Sequence, residues 1–498
     1  MSEKLQTVHV RVNDAATGQP TPCRVRFTGG FDQSSPWDYG KYYAPFGRLT
    51  AFATDNGEDV GGNLREPEEE NWAYIDGTCE IALPPGQIVV AVSKGFEYRQ
   101  IEQAIELKRG QISLRLNIER WHDTRKDGWY SGDIDVEHLS PHAALLEAAA
   151  EDVAVVNLLA KAAYRLDSDL PPRFAIPNID AFSGQQPALE RPGHMVVVNT
   201  LNWHAELGEV ILLNNHRVVH PLAFGEPFGL DNWTLADWCD QCHRKGGLVV
   251  SDGNGGLAEL LLGKVDAYKA TLETDDSGFL TDRHHELLRL GYRIPLVAGS
   301  RKCSNARPLG CFRTYARLQP GQDFTYKNWI EAVRAGRTFI TNGPLLYLTV
   351  NGQDPGSVIE LEKPGEKIRV HVEAHSAVPL KRLCVSGSGI ESQLVDVQGS
   401  PHRTIADVVL QVESSGWVSA ACYGSKKRSA LTSSIYLNVK GHPTQCIGEK
   451  DLAWIDQELD RYLIWVQTKA RFENDDQRGR LANIFLAAKV ELAKRAHS

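Results

Sequence analysis

Three carboxylates stand at alternate positions in one short segment of the chain. Asp133, Asp135 and Glu137 are spaced by two, so in a β-strand they share one face. His138 and His142 follow at once. Three carboxylates on one face repel each other unless a cation or several hydrogen-bond donors lie among them. The spacing therefore predicts either a cation-binding site or the solvated end of a strand, and it does not choose between the two.

Two further groups of cysteine and histidine residues carry weaker signals. The segment from Cys239 to His243 matches the attachment motif of c-type haem. It lies inside a helical pattern over residues 234–245, and the sequence has no second close-spaced cysteine pair that could complete a zinc site. We therefore expect both cysteines on one helix, without haem or metal. His284 and His285 lie in an amphipathic pattern that predicts a solvated helix face.

The composition is that of a soluble globular protein. The 498 residues exceed what one hydrophobic core usually serves, so we expect about two to four domains. The net charge of -9 and the pI near 6.0 argue against nucleic acid or an anionic membrane as a partner. No apolar run approaches the ~20 residues of a membrane helix, and the first residues lack the apolar core of a secretion signal. Nine scattered cysteines indicate reduced thiols, so the predicted location is the cytoplasm.

The apolar pattern divides the chain into four regions. Residues 1–120 alternate with a period of two between Gly and Pro turns, which predicts a small β-sandwich, and residues 344–445 predict a second one. Residues 121–343 combine apolar strands that lack alternation with helical segments, which predicts parallel βαβ units in an open or distorted barrel. Residues 446–498 form a helical tail. The helical segments of the barrel are expected at 141–151, 234–245, 282–290 and 325–335, and an aperiodic excursion is expected over 31–71.

The acidic segment belongs to a longer series of motifs. The series continues with Gly193-His194, the run from Gly246 to Val250, Ala298-Gly299-Ser300 and the run from Arg334 to Leu346. Together they resemble the CehA/McbA-like branch of the PHP metallohydrolases, in which Gly-Asp-x-His-x-His ends the first barrel strand and Ser-Pro opens the next helix. The resemblance covers most of residues 6–440. It implies a PHP-like distorted barrel flanked by the two β-sandwiches, and a metal-bound water that hydrolyses an amide, ester, carbamate or phosphoester bond.

Most of the metal ligands that the resemblance implies are replaced in this chain. The two histidines of the first motif fall on Asp135 and Glu137, and the histidine of a later Thr-Asp-His falls on Lys161. The aspartate of a Gly-Ser-Asp motif falls on Arg301, and only His194 stays in register. Two further ligands fall near Gln186 and on Ser251-Asp252. The trinuclear site of the family cannot be built from these residues.

Two arrangements remain for the altered centre. In the first, a reduced site holds one divalent ion of Mn, Fe or Zn, and its candidate ligands are Asp133, Asp135, Glu137, His138, His194 and Asp252. In the second, no metal binds, and Arg301 with Lys302 beside it neutralises Asp135 and Glu137. The second is favoured because a cation stands where a ligand aspartate is lost. In both, the site residues, Arg301 included, are predicted to converge at the carboxyl ends of parallel strands.

The two arrangements predict different functions. With a metal, the chain is expected to be a hydrolase in which His138 or His194 serves as ligand or proton shuttle. The candidate catalytic residues are then His138, His194 and Arg301. Without a metal, the chain is expected to be a non-catalytic binding or scaffold protein. Its β-domains would then contact a small molecule, a carbohydrate-like ligand or another protein.

Overall fold

A computed structural model describes the fold of most of the chain. It covers residues 5–30, 40–45, 62–65, 71–137, 139–165, 173–252, 255–272, 279–280, 282–396, 400–443 and 449–496. The protein is a strand-rich α/β molecule with a helical C-terminal region. By spatial proximity the chain divides into two compact units. The first comprises Met1–Leu158, Ala188–Val196 and Gly299–Phe312, and the second comprises Leu159–Pro187, Val197–Ala298 and Arg313–Ser498. The four regions expected from the sequence stay a prediction.

Most of the secondary structure consists of short strands, with helices between and after them. The strands are β1 Gln6–Asp14, β2 Cys23–Gly29, β3 Lys41–Tyr42, β4 Asn63–Arg65, β5 Asn71–Ile75, β6 Thr78–Leu83, β7 Gly86–Ser93, β8 Ile101–Leu107, β9 Ser113–Ile118, β10 Trp129–Val136, β11 Val155–Lys161, β12 Ala163–Arg165, β13 Arg173–Ala175, β14 Leu189–Arg191, β15 His194–His204, β16 Gly208–Leu213, β17 Leu248–Ser251, β18 Ala267–Lys269, β19 Thr271–Leu272, β20 Phe279–Leu280, β21 Leu296–Val297, β22 Arg313–Arg317, β23 Thr338–Thr341, β24 Leu345–Val350, β25 Val358–Leu361, β26 Glu366–His375, β27 Leu380–Ser388, β28 Gln393–Asp396, β29 Arg403–Val412, β30 Gly416–Gly424, β31 Ser429–Thr432 and β32 Ile435–Val439. The helices are α1 Pro141–Ala150, α2 Leu235–Arg244, α3 Leu257–Leu261, α4 Asp282–Arg289, α5 Tyr326–Arg334, α6 Glu449–Thr468 and α7 Asp475–Ala496.

The first nine strands form two sheets around one core. One sheet has the order β4-β5-β2-β7-β8 with β3 on β2, and the other has the order β6-β1-β9. Val8, Val10 and Val12 are buried at alternate positions of β1, as their spacing predicts, and pack in one cluster with Phe27. The period of two is therefore confirmed for this region. Most of the excursion expected over 31–71 lies outside the described residues.

The acidic segment forms β10, and β10 pairs with β11 in parallel. Gly132 lies beside Val155 in this pairing. Helix α1 connects the two strands and begins after Ser140, whose hydroxyl accepts a hydrogen bond from the backbone N–H of Ala143. Pro141 occupies the first helical position, where its missing N–H costs nothing. The βαβ unit expected at this point is confirmed.

The strands of the second unit mix both directions. β17, β18 and β21 are parallel, as predicted. β15, β16 and β17 are antiparallel neighbours, which corrects the expectation of parallel units throughout. The cause is the turn over residues 205–207, because a connection of three residues can form a hairpin but not a crossover. Helix α2 follows with the capping box of Thr234 and Asp237, and Gly246 after it has a φ of 74°.

The remaining strands of the second unit are mostly antiparallel, and two helices follow them. β23, β31, β30, β27 and β28 pair in that order, and β24, β26 and β29 form a separate sheet. The rings of Tyr462 on α6 and Phe485 on α7 stack with centroids 5.1 Å apart, which confirms the predicted helical tail. Within the described part of the chain, no helix combines the length and the apolar character that crossing a membrane requires.

Candidate functional site

Asp133 holds a later segment of the chain against the end of β10. One carboxylate oxygen, Oδ1, accepts hydrogen bonds from the backbone N–H groups of Asp135 (3.1 Å) and Ser300 (2.9 Å). The other, Oδ2, accepts one from Gly310 at 2.8 Å. Complete burial raises the pKa of Asp133 to about 6, although these N–H groups favour the charged form. Both oxygens are thus engaged by the backbone, and Asp133 acts as a clamp for residues 299–312.

The loop that Asp133 holds must approach β10 closely. A Cβ atom on Gly299 would lie 2.6 Å from the backbone nitrogen of Asp135, so only glycine fits there. Beyond it, the N–H of Lys302 donates to the carbonyl of Asp135 at 3.2 Å, and the N–H of Glu137 donates to the carbonyl of Lys302 at 2.8 Å. The Gly-Ser motif and the acidic strand therefore meet, as the resemblance implies they should.

Lys302 is the buried cation of this loop. Its side chain is 0% exposed, and its Nζ lies 3.3 Å from Oε2 of Glu147 on α1, which is also 0% exposed. The ammonium donates to the carbonyl of Arg307 at 2.8 Å and to that of Ser304 at 3.3 Å. Oε1 of Glu147 accepts a hydrogen bond from the backbone N–H of Gly62 at 3.2 Å. Charge and hydrogen bonding together make this burial tolerable, since a lone buried charge would be very costly.

Arg301 differs from the neighbouring Lys302 in its exposure and in its backbone conformation. Its residue is exposed, and its backbone is left-handed with a φ of 49°. The isolated bridge between Lys302 and Val136 holds the backbone of Lys302 beside β10, and the side chain of Lys302 is buried there. The fully buried cation of this segment is Lys302, and its partner is Glu147. The expected contact of Arg301 with Asp135 or Glu137 stays a prediction.

His194 lies at the other end of the parallel strands. Its Nδ1 is 2.8 Å from the carbonyl of Val153, just before β11, and the N–H of Met195 donates to the carbonyl of Ala154. In the β10–β11 register this level is five residues from Asp135, which corresponds to about 15 Å along a strand. The predicted convergence of His194 with the acidic residues is wrong, because His194 opens its strand whereas Asp135 nearly ends one. Its alignment with a family ligand is lost with it.

A dense ion network surrounds this amino-terminal end. Asp152 lies 2.8 Å from Arg120 and 3.0 Å from Arg125, and Arg120 lies 2.9 Å from Glu97. Burial opposes the charge of Asp152, but the two arginines outweigh it and lower the pKa to about 2. Burial lowers the pKa of His194 to about 4, although Asp152 opposes this. The network joins the strands of the N-terminal region to β10 and β11, and we assign it a structural role.

The donors do not fit the metal centre that the resemblance implies. Asp135 and Glu137 are buried at the carboxyl end of β10, but both oxygens of Asp133 are engaged and His194 lies at the other end. The predicted ligand and catalytic residue His138 lies outside the described residues. The predicted ligand Asp252 follows β17 in the second unit, where it is buried. Across the ranges that the structure describes, no three His, Cys, Asp or Glu side chains come close enough together to hold a metal ion.

The remaining cysteine and histidine predictions have mixed outcomes. Cys239 and Cys242 are buried on α2, as predicted, and burial raises the pKa of both thiols, to about 12 for Cys242. The absence of haem stays a prediction. The solvated face predicted for His284 is wrong, because its side chain is 2% exposed and its Nε2 lies 3.0 Å from the carbonyl of Ile294. Burial lowers the pKa of His284 to about 3.

A second charged cluster escaped prediction from the sequence. Lys161, Glu209 and Lys269 meet in the second unit, with both lysine Nζ atoms 3.6 Å from a carboxylate oxygen of Glu209. The resemblance implies only a lost ligand at the position of Lys161. The overlooked signal is that Lys161 and Lys269 each end a buried strand, where a charged side chain needs a partner.

Comparison with the models of known protein families and with curated protein sequences finds no match for this chain.

Proposed function

We propose that this chain is a non-catalytic binding or scaffold protein on a PHP-like barrel with flanking β-sandwiches. In this proposal its own lysine supplies the positive charge that a metal ion supplies in the metallohydrolases. The observation that carries the proposal is the Lys302–Glu147 pair, which is fully buried beside the acidic strand end with 3.3 Å between the charged atoms. The proposed location is the cytoplasm, and the proposed ligand is a small molecule.

The chemistry of the strand end supports a resident ammonium group. Glu147 has a cationic partner at one oxygen and a backbone N–H donor at the other. The carboxylate of Asp133 accepts hydrogen bonds from three backbone N–H groups, which partly offset the cost of burying its charge. Each of these carboxylates therefore already has the donors that make burial of its charge tolerable. A metal ion entering at this point would have to displace Lys302 or the backbone of residues 299–312.

The resemblance to the CehA/McbA-like family supports the fold of that family, but not its set of metal ligands. Gly299 and Ser300 lie against Asp133 and Asp135, so two motifs that are distant in sequence are neighbours in space. His194 gives no support, since it lies at the opposite end of the strands. We therefore propose the fold of the family without the metal-bound water that carries out hydrolysis.

Thermal melts in the presence of chelator or metal test the proposal. We expect that neither excess chelator nor added Mn or Zn changes the melting temperature of protein purified without chelator. The reason is that Lys302 already supplies a positive charge to Glu147 at this end of the strand. A structural metal site would contain about one divalent ion per chain, and metal analysis of the same preparation should find well below that amount.

A fall in melting temperature that Mn or Zn reverses would contradict the proposal and restore the metal-dependent hydrolase. The Lys302→Met variant extends the test. If the ammonium stands in for a metal, this variant should melt lower than wild type with or without metal ions. A matched control is Lys126→Met, because the side chain of Lys126 is 80% exposed and 3.7 Å from its partner Asp123.

A further inference from the structure

Strand β29 lies at one edge of the separate sheet β24-β26-β29 in the second unit. It pairs with β26 along all ten of its residues, Arg403–Val412. Within the ranges that the structure describes, no strand pairs with the other side of β29. An edge strand presents a row of N–H and C=O groups with which another strand can pair. The outer edge of β29 is therefore a candidate contact surface.

The backbone groups at this outer edge belong to the odd-numbered residues of β29. The carbonyls of His402 and Val412 accept hydrogen bonds of 3.0 and 2.8 Å from the two residues that flank β26. The even-numbered residues thus direct their backbone groups towards β26. Because this direction alternates along a strand, the odd-numbered residues direct theirs away from β26. Ile405, Asp407 and Val409 therefore present N–H and C=O groups at the outer edge.

The sequence of β29 does little to prevent pairing with another strand. Natural edge strands are often protected by proline, by lysine, by a β-bulge or by their short length. The ten residues RTIADVVLQV include no proline, glycine or lysine, and they pair with β26 without a bulge. Ile405 and Val409 are 43% and 59% exposed on the outer face of the sheet. A further strand at this edge would shelter part of their apolar surface from water.

The charges of β29 favour a second copy of the same strand in antiparallel orientation. Arg403 and Asp407 lie on the exposed face at equal distances along the strand from Ile405. When two copies pair about a two-fold axis at Ile405, Arg403 of each copy lies directly opposite Asp407 of the other. Opposite charges in such positions stabilise a strand pair, whereas like charges destabilise it. A two-fold axis at Asp407 would place two aspartates opposite each other, so the charges favour the register centred on Ile405.

The present partners of these two charges lie on the inner side of the strand. Nη2 of Arg403 lies 2.8 Å from Glu373, and Oδ1 of Asp407 lies 2.7 Å from Nδ1 of His371, both on β26. The side chains of Arg403 and Asp407 are nevertheless 57% and 76% exposed. Each can therefore gain a second partner of opposite charge on the side away from β26.

We infer that two copies of this chain pair edge to edge through antiparallel β29 strands centred on Ile405. The contact is isologous, because the same residues of both copies form it. It joins the two three-stranded sheets into one sheet that continues across the two-fold axis. The inference goes beyond the proposed function and does not depend on it, because none of these residues belongs to the Lys302–Glu147 pair.

Sedimentation equilibrium of the full chain tests the inference. We expect wild type to show a monomer–dimer equilibrium between about 1 and 100 µM, as a small interface would. Arg403→Asp and Asp407→Arg each place like charges opposite each other at two positions of the dimer, and each should weaken dimerisation about tenfold or more. Ile405→Lys should also weaken it, because it places two ammonium groups together at the axis.

A mixture of the two charge variants distinguishes specific pairing from damage to the fold. In a heterodimer of Arg403→Asp with Asp407→Arg, an aspartate faces an arginine at both positions. The mixture should therefore dimerise about tenfold or more tightly than either variant alone. Lys440→Glu is the matched control, since Lys440 is 77% exposed, pairs with Glu362 and follows β32 of another sheet. It should leave dimerisation unchanged.

A wild type that stays monomeric over this range of concentration would overturn the inference and leave the edge of β29 to an extended segment of another protein. A wild-type dimer that neither charge variant weakens would overturn it as well, because the interface would then lie elsewhere. The same holds if mixing the two charge variants gives no tighter dimer than each variant alone.

Discussion

The two ends of the β10–β11 strand pair both bury charge, but they do so with different partners. At the amino-terminal end, Arg120 and Arg125 contact Asp152 at 2.8 and 3.0 Å. At the carboxyl end, the carboxylate of Asp133 is held by backbone N–H groups, and one lysine, Lys302, serves Glu147 at 3.3 Å. The first end is therefore held by several side-chain ion pairs, and the second depends on one buried ammonium group and on backbone N–H donors.

This difference shows why a cluster of acids is weak evidence for a catalytic site. Sequence motifs indicate which residues lie near a strand, but the partner groups decide whether a carboxylate is available to a ligand. The planar guanidinium of Arg has several donors and can contact two carboxylates at once, as that of Arg120 does, whereas the ammonium of Lys is a compact point charge. The comparison predicts different responses of the two ends to mutation and to pH.

The largest effect should come from the amino-terminal network. Asp152→Ala removes the buried carboxylate that Arg120 and Arg125 both contact, and leaves Arg120 with Glu97. We expect the free energy of unfolding to fall by about 3–5 kcal/mol, the range for a broken buried pair. Chemical denaturation measures this loss. The control Asp123→Ala breaks a 3.7 Å contact to Lys126, whose side chain is 80% exposed, and should cost less than about 1 kcal/mol. An equal cost for the two variants would refute the structural role of the network.

An intermediate effect should appear in the pH dependence of stability, with opposite signs at the two ends. The pKa of His194 is lowered by burial from 6.5 to about 4, so its stabilising contribution is present above pH 6.5 and is lost as pH falls to about 4. The pKa of Asp133 is raised by burial from 3.8 to about 6, so its contribution is present below pH 3.8 and is lost as pH rises through about 6. Each contribution is on the order of 2–3 kcal/mol.

Variants of the two residues separate these contributions. Between pH 6.5 and 4, His194→Gln should lose less stability on acidification than wild type, because the histidine that resists protonation is gone. Asp133→Asn should lose more than wild type over the same interval, because the carboxyl group that gains stability on protonation is gone. Denaturation curves at several pH values measure both slopes. Slopes that change in the same direction for both variants would contradict the assignment of opposite roles.

The smallest effect is expected at Arg301. Its residue is exposed, so Arg301→Ala should change the free energy of unfolding by less than about 1 kcal/mol. A loss as large as that of Lys302→Met would mean that Arg301 carries the charge that we assign to Lys302. Measuring the two variants under the same conditions decides between these neighbouring residues.

Local features of the fold were predictable because short-range chemistry determines them. The start of α1 after Ser140-Pro141 and that of α2 after Thr234 follow from capping, and the period of two in β1 follows from burial of one face. The antiparallel hairpin of β15 and β16 was missed because parallel units were expected over all of residues 121–343, although a turn of three residues cannot form a crossover.

The candidate site was predictable only in part, because it depends on register and direction. The motif correctly predicted that Gly299 and Ser300 lie beside the acidic strand. Residue 302 is buried and residue 301 is exposed in an irregular segment that meets β10 through an isolated bridge to Val136, and such a segment has no periodic pattern in the sequence. His194 was placed at the wrong end because a motif beside a strand does not tell which end of the sheet the residue reaches.

A double-mutant cycle on Lys302 and Glu147 tests the central claim most directly. We expect Lys302→Met and Glu147→Gln each to cost about 3 kcal/mol or more, because each leaves a buried charge without its partner. The double variant should cost less than the sum of the two by about 2 kcal/mol, since both charges are then gone. Costs that add to within about 0.5 kcal/mol would contradict the claim that this lysine stands in for a cation at the strand end.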